Sequence, residues 1–213
     1  MIDTSVLPFF LVAVAVLLLV PGPDFVLIST QSVSRGARYG MACAFGVFLA
    51  GILQTCLVAA GLGKAMEAWP IVATAARLGG ATYLAYLGVR LVISWRRRRA
   101  EPAYVSPSKV RSARTLLAVG FANNLLNPKA LLFFSVFIPQ FVNPSLGSSE
   151  VQIAIWGSML SLLAFGYNIL LSLVFSSMHS FRMDLSRFQT HGDGILGVLF
   201  LLLATRLSLA IVN

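Results

Sequence analysis

Two prolines, each beside an ionisable residue, interrupt stretches that are otherwise apolar enough for a membrane interior. The first break is Pro21-Gly22-Pro23-Asp24. The second, about half a chain later, is Asn127-Pro128-Lys129. In hydrocarbon every backbone N–H and C=O needs a partner within the protein, so only helices and closed barrels can span. Proline in a helix removes one N–H and leaves the carbonyl four residues back without its donor. A charge at such a place is costly and marks a task or a partner. The chain must therefore fold so that each break finds its partners elsewhere in the protein. Paired breaks in corresponding positions of two halves point to a transporter's binding site.

Hydrophobic residues make up 58% of the chain and charged residues 11%, about half the charged share of a soluble domain. The apolar runs lie at about 5–30, 40–62, 69–95, 112–142, 151–178 and 194–212. Each is long enough to cross a bilayer as a helix of roughly 20 residues. The expected fold is a single domain over 1–213, an all-α integral membrane protein with six transmembrane helices, the first and fourth broken. The first half covers about 1–99 and the second about 112–213. A polar segment at about 96–112, with Pro102 and Pro107, reads as a cytoplasmic linker between them. The N-terminus lacks the basic region of a signal peptide, so the first run is expected to stay as a span.

The formal charge of +9 would suit nucleic acid, but its placement does not. The basic residues sit in short loops, as topology signals do. The first loop has Arg35 and Arg38. The third has Arg96, Arg97, Arg98, Arg99, Lys109, Arg111 and Arg114. The fifth has Arg182 and Arg187. The second and fourth loops carry Lys64 alone. The odd-numbered loops are therefore cytoplasmic and both termini face outward. Span 1 then runs inward and span 4 outward, so two three-helix halves that each begin with a broken helix form an inverted repeat.

At the first break, Pro23 suits the opening position of a new helix. Asp24 falls in its first turn, where the helix dipole favours a negative charge and a membrane surrounding disfavours it. Such a carboxylate suits a bound cation or an exchanging proton. At the second break Asn127 is a good N-cap and Pro128 a good first residue. Their half-helix offers N–H groups to an anion, and Lys129 adds a positive charge. A zwitterionic amino acid needs those two complements. The competing reading is that Asp24 and Lys129 simply pair with each other. Asn123 and Asn127 share a face if the helix continues to the break, with Asn124 beside them. Gln54 continues the small-residue row Ala42, Gly46 and Ala50, whose default meaning is close helix packing. Tyr83 and Tyr86 share a face of span 3, and Tyr167 and Asn168 lie in span 5. The candidate substrate-binding set is thus Asp24, Asn123, Asn124, Asn127, Lys129, Gln54, Tyr83, Tyr86 and Asn168, with Pro21, Gly22, Pro23 and Pro128 making the breaks.

Cys43 and Cys56 are about 20 Å apart along one helical run, beyond disulfide reach. No metal-ligand spacing, phosphate loop or nucleophile–base arrangement is present. The sequence therefore calls for no cofactor and no enzymatic activity.

These motifs resemble the LysE/RhtB family of bacterial amino-acid exporters. The matching stretches are Pro21-Gly22-Pro23-Asp24, then Ser34-Arg35-Gly36 with Gly40, then Leu78 to Gly88. The last are Asn127-Pro128-Lys129-Ala130-Leu131-Leu132-Phe133-Phe134 and Ile138-Pro139-Gln140-Phe141. They cover the first two thirds; the last third is similar in hydropathy. The resemblance implies a six-span inner-membrane exporter of amino acids, coupled to the proton gradient. It carries over Asp24, Asn127, Pro128 and Lys129 as site residues. Gly51 and Gln54 depart from the acidic and histidine residues often found there in relatives. The expected partners are an amino acid, protons and the bilayer, with room for a homo-oligomer. The alternatives are efflux of an inorganic cation and a non-transporting membrane scaffold. Reporter fusions at each terminus should report an external location for both; a cytoplasmic C-terminus would overturn the six-span count or the orientation.

Overall fold

Leu7–Leu19 carries no polar side chain, so packing shape alone decides which face turns inward. In the computed structural model this helix, α1, buries Phe10, Ala13, Val14 and Leu17, spaced along one helical face. Leu11, Val12 and Leu19 remain on its outer surface, where lipid is an equally good solvent for them. The structure describes residues 2–19, 21–69 and 112–177, together with single positions between 71 and 96 and between 197 and 205.

Helix α2 (Pro23–Arg35) opens with Pro23 at its first position, after an extended Gly22. Its sequence is polar for a membrane element, and the backbone takes up its serine hydroxyls. Ser29 Oγ donates to Phe25 O at 2.7 Å and Ser32 Oγ to Ile28 O at 2.8 Å. A serine so bonded needs no further partner. Gly36, at φ +94°, turns the chain within one residue into α3 (Ala37–Val58). Only glycine adopts that conformation without strain. The sequence suggested a longer loop here; the helices instead approach to within a single residue of each other.

Helix α3 continues through a π turn at Ala59–Gly63 into α4 (Lys64–Ala68), giving an apolar helical run over Ala37–Met66. In the second half, α5 (Ala113–Leu125) is capped by Ser112, whose side chain accepts from Thr115 N. After the break come α6 (Pro128–Leu132), a π turn at Phe133–Phe137 and a 3-10 turn at Ile138–Phe141. Helix α7 (Ser149–Ser177) follows.

Ala37–Met66 and Ser149–Ser177 are each long and apolar enough to cross a membrane unbroken. Two helix pairs, Thr4–Leu19 with Pro23–Arg35 and Ala113–Leu125 with Lys129–Phe141, are long and apolar enough only when taken together, and each is bent by 55°, as a broken span or a re-entrant loop would be. These four stretches fall where spans 1, 2, 4 and 5 were expected. At the described positions between 71 and 96 and between 197 and 205 the backbone is helical, and Gly88 and Gly197 meet closely across the two segments.

Two apolar clusters hold the described helices together. One joins Phe10, Phe133, Phe137, Phe141, Ile153 and Trp156, with Phe10 stacked edge-on to Phe141 at 5.1 Å. The other joins Ile28, Cys43, Val47, Leu116, Leu171 and Phe175. Helix α7 runs through both. The α3 and α5 backbones pack closely where Gly46 faces Leu117 O and Gly120 faces Cys43 O, so the expected small-residue row is indeed a packing surface. A β-carbon at either glycine would collide with the facing backbone carbonyl. Gly46→Ala and Gly120→Ala should each cost about 1–3 kcal/mol and lower the melting temperature in detergent. Gly166→Ala, whose new methyl would meet nothing within 4 Å, should be neutral or slightly stabilising.

Candidate functional site

Each proline break orphans a carbonyl that is answered from outside the regular helical ladder. In α1, Leu17 O would ordinarily accept from residue 21, but Pro21 has no N–H. Lys129 Nζ, from the other half of the chain, donates to it at 2.8 Å. In α5, Asn124 O loses its donor in the same way to Pro128. It accepts instead from Asn127 N at 3.0 Å and, over a long 3.5 Å, from Gln54 Nε2 on α3.

The ionisable residue of the first break is answered by side chains of the second. Asp24 Oδ1 accepts from Asn123 Nδ2 at 2.7 Å. Asp24 Oδ2 accepts from Asn124 Nδ2 at 2.8 Å and Asn127 Nδ2 at 3.1 Å. The carboxylate is thus gripped by three neutral amides. A hydrogen bond to a charged group contributes about 1.5–3 kcal/mol, which offsets part of the cost of moving a charge out of water. The two breaks are therefore cross-braced. The first break lends its carboxylate to the asparagines of the second, and the second lends its ammonium to the carbonyl of the first.

Asn127 does two jobs. Its Nδ2 holds Asp24, while its Oδ1 caps α6 by accepting from Lys129 N at 3.0 Å. The bare amides expected to welcome an anion at this break are thus largely committed. Pro128 has none, Lys129 N is capped, and Leu131 N bonds Asn127 O at 3.0 Å. The attraction for an anion at this break comes chiefly from the Lys129 side chain.

Between the two apolar clusters lies a cavity of about 90 Å³. Its polar lining comes from Gly22, Asp24, Asn124, Asn127 and Lys129 at the breaks and from Ser161, Tyr167 and Asn168 of α7. Its apolar lining comes from Leu17, Leu18, Phe25, Val47, Phe48, Phe133, Phe134, Leu160 and Phe165. The contributing stretches, Val47–Gly51 and Leu160–Asn168, fall near the middle of the two unbroken spans. That places the cavity near half depth of the helical bundle. Among the described lining residues, Asp24 is the one acid and Lys129 the one base.

Of the residues expected from sequence, Asp24, Asn124, Asn127, Lys129 and Asn168 line this cavity. Asn123 reaches Asp24, and Gln54 sits behind Asn124, buried to 3% exposure. Tyr86 lies elsewhere: it is half exposed, with Arg90 Nη1 donating to its hydroxyl at 3.4 Å. Tyr83 lies outside the described residues. Ser161 and the phenylalanine wall went unrecognised in the sequence. Phe133 and Phe134 follow the second break directly, a position that could have flagged them. Ser161 and Phe165 sit in an unbroken apolar helix that carries no such flag.

The family described as LysE type translocator matches residues 15–210, so the match runs through the last third as well. Leucine efflux proteins of Enterobacter sp. (strain 638) and Salmonella typhimurium are 27% and 29% identical over 201 residues. The alignments cover 93% of this chain, and 93% and 92% of those proteins respectively. An uncharacterised membrane protein of Pseudomonas aeruginosa is 30% identical over 195 residues, 90% of each chain. No solved structure matches. With a cross-braced pair of broken spans around a charged cavity and a family match over nearly its whole length, this chain belongs to the LysE type translocators and is a transporter, not an enzyme.

Proposed function

We propose that the protein exports amino acids with apolar side chains from the cytoplasm, as a multi-pass protein of the bacterial inner membrane. The observation that carries this reading is the cavity, which is lined by one carboxylate and one ammonium together with aliphatic and phenylalanine side chains. A zwitterionic head needs both charges, and a leucine-like side chain needs the wall. In this reading Asp24 faces the substrate ammonium and Lys129 its carboxylate. The relatives named as leucine efflux proteins support the same substrate class.

Transport proceeds by alternating access between two inverted halves, each begun by a broken helix. The equal bends of 55° in the two broken spans support that pairing. The cavity, about 90 Å³, is smaller than the roughly 150 Å³ that admits benzene. A leucine side chain therefore requires the cavity to widen, which relative movement of the two halves would provide. Coupling to the proton gradient by exchange completes the reading.

Purified protein in proteoliposomes should show leucine counterflow, with isoleucine, valine and methionine as competitors and aspartate without effect. Equal competition by all amino acids, or none by any, would refute the substrate class. Asp24→Asn sets an amide N–H₂ among three amide donors, so at least one donor faces another donor. Leucine counterflow should fall at least about tenfold, the equivalent of ~1.4 kcal/mol, and the melting temperature should drop. Unchanged counterflow in Asp24→Asn would remove Asp24 from the site.

A further inference from the structure

We propose that the carbonyl end of α1 is a cation subsite of the cavity, and that the ammonium of Lys129 is its tethered occupant. Pro21 makes the subsite, because without a residue-21 N–H the helix cannot satisfy Leu17 O itself. The C-terminal end of a helix also carries partial negative charge, which favours a cation. Lys129 Nζ occupies this place at 2.8 Å from Leu17 O. Its side chain passes over the break at Gly22, where an added β-carbon would sit 3.5 Å from Lys129 Cδ and 3.6 Å from Nζ. The Asp24 carboxylate lines the same cavity. It accepts three bonds out of about four lone-pair sites, so one acceptor position remains.

Lys129 thus holds in place the same chemical group that an amino acid would bring, a primary ammonium. This inference rests on the proposed export reading and assigns the substrate's two ends to atoms. An entering zwitterion trades places with the lysine. Its carboxylate draws Lys129 Nζ away, and its ammonium takes Leu17 O together with the open position on Asp24. One ammonium replaces another at Leu17 O, and the net charge of the cavity does not change. A bare cation offers no carboxylate to draw the lysine off, so the resident ammonium closes the subsite to simple cations. Lys129 is in this sense a specificity-determining residue for zwitterions.

Thermal unfolding in detergent tests this with methylammonium chloride as the probe and choline chloride, which has no N–H donor, at equal ionic strength. Lys129→Met, which has no donor, should gain about 2–4 °C in methylammonium over choline, while the wild type and Lys129→Arg gain nothing. The double variant Pro21→Ala/Lys129→Met should lose the response, because the N–H restored by the alanine then satisfies Leu17 O. A Lys129→Met protein no more responsive than wild type would overturn the proposal, as would a double variant responding as strongly as the single one. Should Lys129→Met fail to fold, the double variant should fold again, and failure of that rescue also overturns the subsite. Leucine counterflow of the wild type, run in parallel, separates the two readings. If counterflow is absent while methylammonium stabilises Lys129→Met, the subsite stands and the export reading falls. Normal counterflow without a methylammonium response does the reverse.

Discussion

A polar group without a partner costs several kcal/mol in hydrocarbon, and the rest of this structure is arranged around two places where proline creates such groups. Pro21 strips Leu17 O of its donor and Pro128 does the same to Asn124 O. The chain answers the first with Lys129 at 2.8 Å and the second with Asn127 and Gln54. The Asp24 carboxylate is answered by Asn123, Asn124 and Asn127. Because Lys129 and the asparagines of the second break reach across to the first, satisfying the breaks also docks the two bent helix pairs onto each other.

That arrangement separates rigidity from function. The aromatic cluster around Phe10, Phe141 and Trp156 and the cluster around Cys43, Leu116 and Phe175 lie on either side of the cavity. The close crossing of α3 and α5 at Gly46 and Gly120 is the kind of contact that does not shear easily. The bonds across the cavity are different. They join charged and amide groups by hydrogen bonds, which can be exchanged without separating a packed aromatic core. A transporter needs this division, since the site must open without unfolding its walls.

Much of the site was legible in the residues because charge and proline inside an apolar run are improbable without a cause. Asp24, Asn127 and Lys129 could be picked out on that ground and Asn124 as their polar neighbour, and the cavity collects all four. The phenylalanine wall and Ser161 were not legible, because in a membrane helix an apolar residue facing lipid looks the same as one facing a cavity. Helix α1 makes the point: Phe10 is fully buried and Val12 is 62% exposed, yet nothing in their chemistry tells them apart. Tyr86 shows the converse. A tyrosine in a span suggests an inward hydroxyl, but this residue is half exposed and its hydroxyl accepts from Arg90.

By itself the sequence determined that the chain is a membrane protein, where its helices break, and which charges sit at the breaks. Those follow from local chemistry: hydropathy, the missing proline N–H and the cost of a charge in lipid. It left open whether Asp24 and Lys129 answer each other or something else. Only the tertiary structure decided that Asp24 is gripped by asparagine amides and that Lys129 bonds the carbonyl Pro21 had orphaned. The reason is physical. A break states that a partner is required, but which partner comes within hydrogen-bond reach depends on how helices distant in sequence pack.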